Sequence, residues 1–311
     1  MPIHDLGYRA WEGKPASHVM RWAVIANTGI RLAWKSYWLR RLMFISWIPV
    51  VGMGIFLFIF ENSLDHPTER AMLVRFVERN PFIPPLNLGT SPDEGEARRE
   101  AWSSAMLLLF RYPQLVAMLF VVGLIAPTLI SGDMQSRAFL LYFSRPIERT
   151  DYLIGKSAIV WFYLAMITTL PALALYVLGA SLSPDLSVVA YTWDIPLRIL
   201  GASIWLMLPT TAVALCFSSM TMESRYAAVG WVAIWVLGWV AYGILAPLSG
   251  SALDSQWSLL SFHHTLGRVQ AWIFGVERNF GDVLPSIVML ILVTGGATTL
   301  LLQRISSPMR I

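Results

Sequence analysis

Six long stretches of the sequence contain no Asp, Glu, Lys or Arg, and they limit the possible folds more than any other feature. Each is long enough for the roughly 20 residues with which a helix crosses a bilayer. They cover residues 42–60, 112–132, 157–184, 199–222, 226–252 and 283–303. Because these stretches are continuously apolar, they predict membrane helices and exclude a β-barrel, whose strands alternate in polarity. We therefore expect an all-α integral membrane protein with six transmembrane helices, forming one polytopic membrane domain over residues 1–311.

The charge content supports a membrane setting and predicts the orientation of the chain. Only 14% of the residues are charged and 56% are hydrophobic, whereas a soluble domain carries about 25% charged residues. Lys and Arg outnumber acidic residues at both ends of the chain and in segment 133–156, whereas acidic residues are in excess in connections 61–111, 185–198 and 253–282. The positive-inside rule then predicts a multi-pass protein of the cytoplasmic (cell) membrane with both termini in the cytoplasm.

An amphipathic helix is predicted over residues 17–41, before the first apolar stretch. Its apolar face consists of Val19, Trp22, Ala26, Ile30, Ala33 and Tyr37. These positions have helical spacing, and basic residues occupy another face of the same segment. Such a helix is expected to lie in the membrane interface as an elbow helix, although the arginines alone would also fit the basic flank of a first span.

Segment 133–156, DMQSRAFLLYFSRPIERTDYLIGK, is the polar segment with the clearest internal pattern. Its first part, Asp133 to Phe143, predicts about three helical turns in which Asp133 and Arg137 lie four apart on one face. Pro146 should end that helix, because proline excludes the residue before it from helical conformation. A second helix is expected to begin near Thr150, with Asp151 in its first turn, and to continue into the third apolar stretch. We call segment 133–156 the coupling joint.

The coupling joint resembles the cytoplasmic loop between the second and third spans of ABC-2 type transporter permeases, including the subset similar to the nitrous-oxide-reductase maturation permeases. The positions that follow the family pattern are Asp133, Leu140, Leu141, Ser144, Pro146, Arg149, Asp151, Tyr152, Gly155 and Lys156. The chain departs from the pattern at Arg137-Ala138-Phe139, where the family usually has Gly-Thr-Leu.

This resemblance implies the permease subunit of an ABC transporter, expected to be an exporter, with a coupling helix in the cytoplasmic loop. It also implies a second permease copy and separate ABC-type ATPase subunits that bind ATP and Mg²⁺. Exposed apolar residues beside arginines and a proline turn suit a partner groove, so we expect the joint to dock the ATPase. The residues expected to dock or couple are Arg137, Phe139, Leu140, Phe143, Ser144, Arg145, Pro146, Arg149, Asp151, Tyr152, Gly155 and Lys156.

No enzymatic chemistry is predicted for the chain itself. Gly155-Lys156-Ser157 resembles the end of a phosphate-binding loop, but position 150 is Thr where that loop needs glycine. We expect no catalytic residue, cofactor or metal in this chain, and the basic cytoplasmic face gives no reason to expect nucleic acid as a partner. The alternative function is a non-transporting membrane scaffold in a larger assembly, which would need the same spans but no coupled ATPase.

Two further features lie on the predicted outer side. Connection 254–282 is rich in apolar residues, so we expect one or two short helices, with a re-entrant path as an open alternative. Its His263-His264 pair does not predict a metal site, because adjacent residues point about 100° apart on a helix. Arg111 borders the second apolar stretch, and we expect its side chain to extend to the lipid headgroups.

Overall fold

The structure is a computed structural model that describes residues 20–63, 94–138, 148–183, 187–249 and 256–306, together with positions 72, 75 and 79. Helices account for 92% of it, and the described residues form no strand. The α-helices are α1 Arg21–Trp34, α2 Tyr37–Ser63, α3 Glu94–Leu109, α4 Leu115–Gln135, α5 Arg149–Ile167, α6 Thr169–Leu182, α7 Ser187–Thr192, α8 Ile195–Met220, α9 Ser224–Leu245, α10 Phe262–Ile273 and α11 Phe280–Ser306. Short 3₁₀ helices occupy Ala246–Ser249 and Gln256–Leu260.

Six helices of the described chain are long and apolar enough to cross a membrane. They are Tyr37–Ser63, Gly95–Gln135, Arg149–Leu182, Val188–Met220, Ser224–Leu245 and Phe280–Ile305. Each overlaps one of the six uncharged stretches, which confirms the predicted all-α class with six spans. Several helices extend past the apolar stretches, because helical hydrogen bonding continues into the polar flanks once the span is formed.

The amphipathic segment before the first span is divided differently from the prediction. Helix α1 ends at Trp34, and after a turn at Lys35 and Ser36 the chain starts α2 at Tyr37. Residues 37–41 therefore belong to the first spanning helix, so the amphipathic helix is shorter than the predicted segment 17–41. That α1 lies in the membrane interface stays a prediction.

The spans differ in how much of their surface the protein itself covers. In Val188–Met220, 67% of the most apolar 18-residue stretch is buried inside the protein. The buried share of the corresponding stretch is 17% in Ser224–Leu245 and 22% in both Tyr37–Ser63 and Phe280–Ile305. The span that contains α8 is therefore central, and α2, α9 and α11 present most of their apolar surface outward, as helices surrounded by lipid do.

Buried polar contacts join the helices at the end opposite the coupling joint. Glu61 of α2 is 2% exposed. Its Oε1 accepts a hydrogen bond from Trp102 Nε1 at 2.8 Å, and its Oε2 lies 3.4 Å from Arg98 Nε and accepts from Ser183 Oγ at 3.3 Å. A buried carboxylate is tolerated only when such partners surround it. This one connects α2, α3 and the end of α6.

The second and third spans, Gly95–Gln135 and Arg149–Leu182, each contain an irregular point, and the two points lie next to each other. A π-helical turn, Phe110–Gln114, separates α3 from α4 and contains Pro113, which cannot donate the hydrogen bond of a regular turn. The neighbouring span breaks at Thr168, between α5 and α6. Gln114 Nε2 donates to the Thr168 carbonyl oxygen at 3.1 Å, so the amide connects the two irregular points.

Candidate coupling joint

The structure describes the two ends of the coupling joint, residues 133–138 and 148–156. Six of the predicted docking residues lie outside the described residues. They are Phe139, Leu140, Phe143, Ser144, Arg145 and Pro146. The other six, Arg137, Arg149, Asp151, Tyr152, Gly155 and Lys156, are placed.

The predicted continuous helix from Asp133 to Phe143 is wrong at its first turn. Helix α4 ends at Gln135, and Arg137 has φ 54°, in the left-handed region that an L side chain rarely occupies. The amide nitrogens of Ser136 and Arg137 donate to the carbonyl oxygens of Gly132 and Met134, and thereby close the helix end. Asp133 and Arg137 consequently do not share a helical face.

The second helix of the joint agrees with the sequence prediction. Glu148 has an extended conformation, α5 begins at Arg149, and Asp151 lies in its first turn, where a carboxylate favours the exposed amide groups of a helix start. The helix continues without interruption into the third span. The start near Thr150 is therefore confirmed, and Arg149 is exposed at the start of α5.

Asp133 joins the end of α4 to the start of α5. Its Oδ2 lies 2.7 Å from Lys156 Nζ and accepts a hydrogen bond of 2.7 Å from the Tyr152 hydroxyl. The side chains of Lys156 and Asp133 are only 9% and 17% exposed, and Tyr152 is fully buried. Lys156 Nζ also lies 5.4 Å from the centre of the Tyr152 ring. Three residues of the family pattern thus form one buried polar cluster.

Gly155 lets helix α1 approach α5 closely. A Cβ atom at this position would lie 2.9 Å from Ile25 Cβ and 3.0 Å from the Trp22 carbonyl oxygen. The carbonyl oxygen belongs to the α1 backbone and cannot turn aside as a flexible side chain could. Gly155 is therefore needed for close packing, and no nucleotide-binding role has to be invoked for it.

A second contact fixes α1 two turns further along α5. The Tyr163 hydroxyl donates to the Ile30 carbonyl oxygen at 2.7 Å, and the Trp34 and Tyr163 rings stack with their centroids 6.3 Å apart. Helix α1 is thus held on α5 at both ends. A movement of the first turns of α5 must therefore also move α1 and, through Asp133, the end of α4.

A second group of polar residues lies inside the bundle, where sequence reasoning did not place it. Arg111 does not follow the lipid surface, because its guanidinium packs against Gly267 of α10. Burial is the main cause, and the positive charge of Arg111 the second, that lowers the pKa of His263 to about 4. Burial and the neighbouring positive groups also lower the pKa of His264 to about 4. This polar group could not be predicted from the sequence, because it depends on a contact between Arg111 and Gly267 of α10, two residues that lie far apart along the chain.

Packing contacts account for His264, the second residue of the histidine pair. His264 stacks on the Tyr242 ring with centroids 3.7 Å apart, and its Nδ1 lies 2.8 Å from Ser261 Oγ. Within the described part of the chain, no group of three His, Cys, Asp or Glu side chains could hold a metal ion.

The six spans define a polytopic membrane protein. Residues 40–303 match the family described as ABC-2 family transporter protein, so the chain belongs to this family. It is a membrane permease component of an ABC transporter, and the family implies an ATPase partner. A comparison with curated proteins finds no match.

Replacing Arg137 by glycine should stabilise the protein. Glycine adopts positive φ freely, whereas an L side chain costs about 1 kcal/mol or more in this region, and the family pattern has glycine at this position. We expect Arg137→Gly to raise the free energy of unfolding by about 1 kcal/mol, measured from the reaction of buried Cys216 with a thiol dye during unfolding. Ser136→Gly, at a residue with negative φ, is the control and should not stabilise. A lower stability of Arg137→Gly would contradict the conformational account.

Proposed function

We propose that this chain is the permease subunit of an ABC exporter and that the coupling joint docks the separate ATPase that hydrolyses Mg²⁺-bound ATP. The observation that carries the proposal is the buried cluster of Asp133, Tyr152 and Lys156, which connects the start of α5 to α4. A contact made at the exposed start of α5 would act on two spans and on α1 together. Such a rigid connection is what a permease needs to convert a cytoplasmic contact into helix tilting.

The docking surface itself is assigned from the sequence. Phe139, Leu140 and Phe143 provide apolar anchors, and Arg145 and Arg149 flank the proline turn. Aromatic and arginine side chains are enriched among the residues that dominate interface energies. The family resemblance extends the proposal to two permease copies above two ATPases, with the substrate path between the copies.

Orientation is part of the same proposal. Three basic residues lie at the end of the bundle that carries the coupling joint: Arg149 in the joint, exposed Arg225 in the α8–α9 turn and Arg304 near the end of α11. The acidic residues at the opposite end include Glu61, Asp194 and Asp282. The positive-inside rule favours a cytoplasmic location for the end with the joint.

Substitutions in the joint should separate docking from folding. Phe139→Ala or Arg145→Glu should reduce ATPase copurification by about tenfold or more, because truncating an interface anchor typically costs 2 kcal/mol or more. Matched controls are Leu182→Ala, an exposed apolar residue at the other end of the bundle, and Arg278→Glu, whose side chain is 87% exposed. Copurification is measured from membranes with equal amounts of each permease.

The result also separates the two functions considered. If both joint variants retain full ATPase association while the controls behave like wild type, the docking assignment fails. If no ATPase copurifies with the wild type under any condition, the non-transporting scaffold is favoured instead.

The orientation has its own test. In a Cys216→Ser background, Arg278→Cys should react with a membrane-impermeant thiol reagent added to intact cells, and Glu223→Cys should react only after the membrane is opened. Both side chains are exposed, at 87% and 44%, so a difference reports sidedness and not burial. The reverse pattern would show that the joint lies outside the cytoplasm.

A further inference from the structure

One face of helix α10 carries buried polar residues in the interior of the bundle. His263, Gly267 and Gln270 are spaced four and three residues apart and therefore align along one side of the helix. Gln270 and Gly267 are buried, and α10 packs against α8, α9 and α11. This row faces the interior of the bundle.

Arg111 lies at the middle of this row. A Cβ atom on Gly267 would be 3.1 Å from Arg111 Cζ and 3.3 Å from its Nε and Nη1. The guanidinium therefore lies in direct contact with the α10 backbone, in space that the missing side chain leaves open. Arg111 projects from the π-helical turn Phe110–Gln114, a type of irregularity that is frequent at functional sites.

The guanidinium has no counter-ion from the described residues. Its Nε is buried and makes no hydrogen bond, and no carboxylate of the described chain forms an ion pair with it. Along the helix it lies about 18 Å from Arg99 and about 33 Å from Asp133, within the membrane-spanning element. Arg111 is half-buried and only its Nε is fully enclosed, but a positive charge without a counter-ion inside a membrane bundle is unfavourable, so this arginine is expected to meet an anion.

The neighbours of Arg111 add polar atoms without adding charge. Gln270 is completely buried and neither of its amide atoms has a partner, and His263 Nδ1 is likewise unpaired. Gln114 Oε1, on the same π-helical turn, is also unpaired. Because His263 is neutral at physiological pH, the group carries one positive charge together with uncharged hydrogen-bonding side chains.

We propose that Arg111, with Gln270 and His263, binds a single oxyanion of the phosphate type, supplied by a phospholipid headgroup or by a free anion. The planar guanidinium supplies parallel N–H donors that match two oxygens of such a group. The Gln270 amide and a neutral His263 can each donate one further hydrogen bond. Arg111 is partly exposed, so its remaining N–H groups can be reached by the anion. This inference is independent of ATPase docking.

Native mass spectrometry of the full-length protein in a non-ionic detergent provides the test. The protein is titrated separately with phosphatidylglycerol, with phosphatidylcholine and with inorganic phosphate. Wild type should bind one of the two anionic probes at least about tenfold more tightly than Arg111→Gln, the factor expected for loss of a charge-assisted hydrogen bond. Arg278→Gln, which removes an exposed positive charge, should bind as wild type does.

The three titrations distinguish the source of the anion. If wild type binds phosphatidylglycerol more tightly than Arg111→Gln does, the site is assigned to an anionic lipid. If the two proteins differ only in their binding of inorganic phosphate, the site is assigned to a free anion. The proposal is overturned if Arg111→Gln binds each anionic probe as tightly as wild type does. It is also overturned if Arg278→Gln weakens binding as much as Arg111→Gln does.

A second variant keeps the test decisive if Arg111→Gln does not accumulate. Gln270→Leu replaces unpaired amide atoms by an apolar group of similar size, so the protein should fold at least as stably as wild type. Binding of the preferred anion should nevertheless fall severalfold, because one donor is lost. Unchanged anion binding in Gln270→Leu would then overturn the proposal.

Discussion

The ion pair between Asp133 and Lys156 is the interaction on which the end of the bundle that carries the coupling joint depends. The two charges are largely shielded from water, so their pairing is favourable only because the geometry is good and the Tyr152 hydroxyl also donates to Asp133 Oδ2. Losing either partner would leave an uncompensated charge between α4 and α5. Because Gly155 lies on the same part of α5 and receives α1, the position of three helices follows from this cluster.

Sequence reasoning succeeded where the controlling physics is local. An uncharged stretch of sufficient length must be a helix in a bilayer, so the six spans could be predicted without any knowledge of packing. The start of α5 followed in the same way, from the proline and from the acid in the first turn. Arg137 shows the limit, because helical spacing placed it on one helical face with Asp133, whereas the backbone turns into a left-handed conformation at this residue.

Contacts between distant segments could not be predicted in this way. The partner of Asp133 is 23 residues away in the next span, and helical spacing cannot indicate it. For Arg111 the usual expectation, an arginine that reaches the headgroups, assumes that lipid surrounds the helix end. The structure instead places Gly267 of α10 there, and a glycine leaves room for the guanidinium inside the bundle. The family pattern identified the joint, but its internal contacts required the structure.

A double-mutant cycle on Asp133 and Lys156 tests this account most directly. Asp133→Asn, Lys156→Met and the double variant are compared with wild type by their free energies of unfolding, followed through the reactivity of buried Cys216. Each single change should cost about 3 kcal/mol, and the double variant should cost less than the sum by about 1 kcal/mol or more. Strictly additive costs would show that the two side chains do not depend on each other, and would contradict the role of this pair in connecting the spans.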